Sequence, residues 1–264
     1  MSIRVRDIYV YPVKGLDPHR LNSAEITSGG SLRYDRMFAM KDEQGKYING
    51  KKSDRIYLLR SSFSPDKMTL TVSAKDLSEE TFYLTENFNR IEEFFSGYFQ
   101  KRITFHRNDV SGFPDDASAT GPTVALWESI QTVCNWYDGI SPEEMTRRFR
   151  PNIVLEGAEP FWEDSLLPVP DEKRIFTIGD TEINGINASA RCTVPPRHPL
   201  TGDIYPFFQK IFAEKRKELL PVWAPENHFD HYYRFVVNTF IPHSEAGKYI
   251  QAGDVAVHRI GLSY

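Results

Sequence analysis

Two cysteines in 264 residues, Cys134 and Cys192, are too few for a disulfide framework. With scattered histidines they also fall short of a structural zinc set of four-cysteine or two-cysteine, two-histidine type. No apolar run approaches the ~20 residues that a membrane-spanning helix needs. Arg4, Arg6 and Asp7 interrupt the opening segment, so no secretory core follows Met1. The net charge of −4 gives no field to draw a polyanion, which argues against nucleic acid as main partner and makes any anion site local. These absences point to a reducing cytoplasm, and to any metal being held mostly by something other than protein.

What is present is ordinary globular composition, 40% hydrophobic and 26% charged, in a chain long enough for two modest cores. Residues 3–11 alternate apolar and polar positions, the period of a half-buried strand, and deliver Lys14 and Gly15 to its end. Residues 24–27, 36–40, 46–48, 68–72 and 103–105 read as further strands, and 86–99 as a helix with one aromatic face. The Gly-, Pro- and Asp-rich stretch 108–122 reads as a linker or long surface loop, and a domain boundary is placed between 107 and 108. Beyond it, 124–137 has helical spacing with Cys134 as core packing, and Ser141-Pro142-Glu143-Glu144 is a helix start. Strands are expected at 153–155, 174–178, 182–186, 235–239 and 255–258, and a helix at 205–219 whose Lys215, Arg216 and Lys217 suit its C-terminal dipole.

The chemistry-bearing stretch is 185–197. There Cys192 lies between Arg191 and the nearby Arg197, where a strand gives way to a proline-stiffened loop, a setting that favours a thiolate. A small buried hydrophobe is the alternative for Cys192. Lys14 with Gly15, Arg36 after Asp35, and Arg147 to Asn152 are cations at strand or helix edges, the usual surroundings of a phosphate; surface ion pairs are the alternative for each. His228 and His231 flank Asp230 but sit among aromatics, and are not read as metal ligands.

Tyr11-Pro12-Val13-Lys14, Asp35-Arg36, Phe149-Arg150-Pro151-Asn152-Ile153, Phe161-Trp162-Glu163-Asp164, Arg191-Cys192 and Thr201-Gly202 occur in that order. In this order the chain resembles the MOSC family, in the version preceded by an N-terminal β-barrel domain. That version includes the mitochondrial amidoxime-reducing component and bacterial relatives. The resemblance implies a mostly β protein with α covers, an N-terminal β-barrel-like domain over 1–107 followed by a MOSC β-barrel domain over 108–264.

It also implies a molybdenum–molybdopterin cofactor, with Cys192 as metal ligand and catalytic centre. Lys14, Gly15, Arg36, Arg150, Asn152 and Arg191 are then the cofactor-binding residues. One soft thiolate beside the two sulfurs of a pterin dithiolene makes a metal enzyme without a protein cage. The implied reaction reduces N-hydroxylated or related small compounds, with electrons from an external ferredoxin- or cytochrome-type donor and its reductase. Pyridoxal phosphate binding comes with the same resemblance. A persulfide on Cys192 serving as a sulfur carrier, and a non-catalytic cofactor carrier, are the alternatives. Gly15, Trp127 and His198 depart from the family pattern, and Trp127 stands where it could take up cofactor space.

Overall fold

Strand β1 (Arg4–Val10) buries Val5, Ile8 and Val10, each 2% exposed or less, with a shift in register between Val5 and Asp7 that breaks the strict alternation. It opens a computed structural model that describes residues 2–75, 77–85 and 87–258. Next come β2 (His19–Leu21), β3 (Ser23–Glu25), β4 (Phe38–Asp42), β5 (Leu59–Ser64), β6 (Thr69–Ala74), β7 (Leu77–Tyr83), helix α1 (Asn89–Phe99) and β8 (Ile103–Arg107). Then follow β9 (Val124–Leu126), α2 (Trp127–Cys134), α3 (Pro142–Phe149), β10 (Ile153–Glu156), β11 (Arg174–Ile178) and β12 (Thr181–Ala190). The described chain closes with α4 (Phe208–Glu218), β13 (Arg234–Phe240), β14 (Tyr249–Gln251) and β15 (Ala256–His258). The protein is mostly β, with helices as covers.

The main sheet has the order β15-β11-β12-β13-β9-β10-β1-β2, antiparallel except where β10 runs parallel to β9. It curls until its far edge meets β1: Arg4 bridges Val255, Val5 N donates to Asp254 O at 2.9 Å, and Ala256 N donates to Ile3 O at 2.9 Å. Both faces of its middle are buried. Val124, Leu126, Ile153 and Leu155 point into the interior, while the intervening Ala125 and Val154 pack under α2, α3 and α4. A third core, from Val13 to Phe105, fills the smaller lobe formed by β4 with β8, the β5-β6-β7 sheet and α1.

Several expectations shift. The first residues of the expected helix 124–137 are the strand β9, because Val124, Ala125 and Leu126 are all 0% exposed and pair with β10 and β13. The expected helix 86–99 begins at Asn89, and Glu86 lies outside the described residues. Stretch 108–122 has no regular element, as expected of a long loop, and it is held against neighbouring segments of the chain. Gly112, at φ +62°, lies so close to the chain that a Cβ there would sit 2.4 Å from Asp35 O, and Phe113 N donates to Arg36 O at 2.8 Å. Strand pairing also runs across position 107: β1 pairs with β10, and β3 with β14.

Arg216, in the last turn of α4 as expected, is 1% exposed. Its guanidinium pairs with the buried Asp164 and lies 4.2 Å from the centroid of the Phe161 ring. The carboxyl of the neighbouring Glu163, 1% exposed, is pushed up to about 7 by burial and by the charge of Asp164.

Candidate functional site: a cationic cavity

The end of β1 and the C-terminus of α3 meet over a cavity of about 660 Å³, lined by residues of the smaller lobe's core and of the core under α2, α3 and α4. Lys14 reaches it because its backbone N–H donates to Phe38 O at 2.8 Å, which fixes the chain leaving β1. Gly15 turns that chain at φ +94°, where a side chain is strained and a Cβ would meet Asn49 Cα at 3.1 Å.

Arg36 and Arg150 both hold left-handed backbone, φ +47° and +55°. This conformation is costly for a non-glycine residue and is concentrated at functional positions. At Arg150 it follows from the end of α3: the Arg150 N–H caps the helix onto Thr146 O at 2.8 Å, and the guanidinium is turned toward the cavity. Arg150 Nη2 donates to Leu16 O at 2.8 Å, and Arg36 Nη1 to Asp35 Oδ2 at 2.5 Å.

Arg191 follows β12, its N–H bonded to Tyr233 O at 3.0 Å. Nη2 donates to Phe149 O at 2.8 Å and Nη1 to Ser189 Oγ at 3.1 Å, while its buried Nε has no partner among the described residues. Cys192, next in the chain, is a free, partly exposed thiol on the cavity wall, its carbonyl accepting from Tyr233 OH at 3.2 Å.

Burial lowers the pKa of Arg150 and Arg191, and that of Lys14 against the opposing pull of Asp115. Arg36 is also desolvated, but the charges of Asp35 and Asp115 hold its pKa above the ordinary value. The arginines keep their charge in any event. The cavity is therefore a desolvated concave site with several fixed cations, and its size lies within the range that organic ligands fill.

The structure thus brings together Lys14, Gly15, Arg36, Arg150, Arg191 and Cys192. Asn152 is not with them. It is 0% exposed, its amide donating to Tyr9 O at 3.0 Å and its Oδ1 accepting from Thr123 N at 3.1 Å, so it joins β1 to the start of β9. Trp127 lies under the Arg6 guanidinium, 4.1 Å from carbon to ring centroid, and takes no cavity space. His198 faces Glu144 at 3.8 Å, away from the lining. His228 reaches the rim but spends Nε2 on Pro168 O at 2.7 Å. Cys134 is core, as expected, 5% exposed with Sγ toward Ile140 O.

Sequence reasoning missed Tyr57, Asp115 and Asn187, which also line the wall. Tyr57 OH donates to Gly50 O at 3.1 Å, and burial raises its pKa to about 12. Among the described residues no cluster of three or more His, Cys, Asp or Glu is placed to hold a metal, and no helix is long and apolar enough to cross a membrane. Pyridoxal phosphate finds no support: Lys14, 5% exposed, spends its ammonium on Asp115 at 2.6 Å and Phe113 O at 2.8 Å.

Residues 2–119 match the model of the MOSC N-terminal beta barrel domain. Over 236 residues the chain is 23% identical to mitochondrial amidoxime-reducing component 1 of Homo sapiens, covering 75% of this chain and 67% of that protein. It is 23% identical over 250 residues to the molybdenum cofactor sulfurase of Oryza sativa subsp. japonica, covering 77% of this chain and 29% of that protein. Among solved structures, the YUAD protein from Bacillus subtilis aligns over 98% of this chain and 96% of its own, at 12% identity and a TM-score of 0.38. The chain carries a MOSC N-terminal beta barrel domain over residues 2–119.

Proposed function

We propose that the cavity holds the pterin-bound molybdenum cofactor and that the protein is an oxidoreductase acting on N-hydroxylated or related small compounds. The observation that carries this reading is the buried Arg191 Nε, without a partner among the described residues, next to a free thiol in a cavity walled by Lys14, Arg36 and Arg150. An orphaned buried donor costs roughly 1–3 kcal/mol, which an anionic ligand group accepting from it would recover. The donor set fits an organic phosphate with one soft protein ligand, and does not fit a metal caged by protein.

In this reading Lys14, Arg36 and Arg150 bind the phosphate, and Arg191 donates to the ring system or phosphate from the opposite wall. Gly15 keeps the backbone low beneath the ligand, and Cys192 supplies a thiolate to the metal. When bound, the cofactor supplies the two-electron reduction that removes oxygen from nitrogen. Tyr57 and Asn187 line the wall and orient what enters. Electrons come from an external ferredoxin- or cytochrome-type partner, and a cytoplasmic setting keeps Cys192 a free thiol.

The experiment compares wild type with Cys192→Ser, both made in a cofactor-competent host. Pterin is read by fluorescence, and activity by reduction of a small amidoxime with a chemical reductant. Pterin in both proteins with reduction only in wild type supports the reading. Wild-type turnover in Cys192→Ser overturns the thiolate's role, and a labile persulfide on Cys192 without reduction would assign the protein to sulfur transfer.

A further inference from the structure

Of the cavity-lining cations expected to hold the ligand, Lys14 and Arg36 each face a carboxylate. Asp35, 7% exposed, is fixed in the framework, since Oδ1 accepts from Tyr11 N at 2.9 Å while Oδ2 takes Arg36. Asp115 differs in kind. It stands on the irregular 113–116 segment, its side chain is 60% exposed, and its one hydrogen bond among the described residues is from Lys14 Nζ at 2.6 Å.

The backbone around Asp115 is held without it. Phe113 N donates to Arg36 O at 2.8 Å, Phe113 O accepts from Lys14 Nζ at 2.8 Å, and on the far side Asp116 Oδ1 accepts from Ser118 N at 2.9 Å. A segment tied to Arg36 and Lys14 on one side and turned on itself on the other thus presents a carboxylate at the cavity wall, against a lysine whose side chain is 6% exposed. The protein walls around the cavity oppose the charge of Asp115 although the side chain itself is open to solvent, yet Lys14 and then Arg36 and Lys51 hold its pKa far below the usual carboxylate range.

We propose that the Asp115 carboxylate is a resident counter-anion that occupies the anion position on Lys14, so that an anionic ligand group binds by displacing it. Asp115 is then a residue that sets the affinity of the anion subsite, not a support for the fold. A carboxylate at this place lowers the net positive potential that Lys14, Arg36 and Arg150 present, and ties up the donor the ligand would use. The inference deepens the reading above, because it concerns the phosphate end of that same site.

The probe is inorganic pyrophosphate titrated calorimetrically into the full chain freed of bound cofactor, at pH 7.5 and fixed salt. Asp115→Asn keeps the side-chain shape and removes the charge; it should bind pyrophosphate at least tenfold more tightly than wild type, with unchanged circular dichroism. Asp115→Glu keeps the charge and should stay within about threefold of wild type. Equal or weaker binding in Asp115→Asn, or no binding in either protein, overturns the inference. If Asp115→Asn does not fold, the proposal that the carboxylate is dispensable to the fold is wrong as well. Tighter pyrophosphate binding by a protein that never acquires molybdenum would keep this inference and sink only the cofactor reading.

Discussion

The guanidinium carbon of Arg150 lies 3.9 Å from the centroid of the Tyr11 ring. Tyr11 leaves β1 with its hydroxyl bonded to Pro151 O at 3.1 Å, so the last turn of α3 and the end of β1 are locked together where the cavity begins. A cation over a ring face and out of water is worth more than at a surface, up to ~2 kcal/mol. The same contact aims a buried, permanent charge at the ligand position.

Arg150→Ala is accordingly expected to weaken ligand retention by roughly 2–5 kcal/mol, the usual loss for a hydrogen-bonded charge in a desolvated site. Lys217→Ala, on an exposed stretch of α4, should change retention by only a few tenths. Pterin content of the two purified variants measures the difference.

The pair of Arg216 with Asp164 makes the second prediction. Both side chains are buried, 1% and 7% exposed, so Arg216→Ala leaves a carboxylate without its partner in the interior. The expected cost is about 3–5 kcal/mol, read as a lowered urea midpoint with unchanged slope.

That pair also shows what the sequence could and could not convey. Phe208, Phe212 and Arg216 stand four apart on α4, which puts Arg216 on the core face with the two phenylalanines. Arg216 is both in the last turn of α4 and on its buried face, and the suitability of a cation at a helix C-terminus says nothing of which face it takes. Strand β1 was legible because it is long and half-buried, whereas β7, largely exposed and polar, has no apolar rhythm. Strand β9, three residues buried on both faces, has no period to read and runs straight into Trp127. In the site, the cations and Cys192 were legible from residue type and position at element ends. Tyr57, Asp115 and Asn187 were not, because the folding of separate loops onto one wall leaves no local signal.

Glu163 gives a pH dependence. Its folded-state pKa, about 7, is raised above the ordinary glutamate value of 4.5, so the folded state holds this proton more tightly. The resulting stability is fully present below about 4.5 and is lost as pH rises through about 7, an effect on the order of 3 kcal/mol. Glu163→Gln should flatten this part of the stability curve, measured by urea unfolding at pH 4.5 to 8.

The two cysteines should separate cleanly. Cys134→Ser places a hydroxyl in the core beside Ile130 and Met145, costs about 1–3 kcal/mol of stability, and leaves the cavity chemistry alone. Cys192→Ser should leave the melting temperature nearly unchanged, because that side chain is only partly buried, while abolishing reduction. Thermal unfolding and amidoxime turnover, run on both variants, give opposite patterns.

The central claim is that the cationic cavity is a molybdenum cofactor site. The measurement that tests it most directly is the molybdenum and pterin content of protein purified from a cofactor-competent host, by metal mass spectrometry and fluorescence of the oxidised pterin. The account predicts about one molybdenum and one pterin per chain in wild type, with both reduced in Arg150→Ala. Molybdenum and pterin both far below one per chain in the wild-type protein would contradict it.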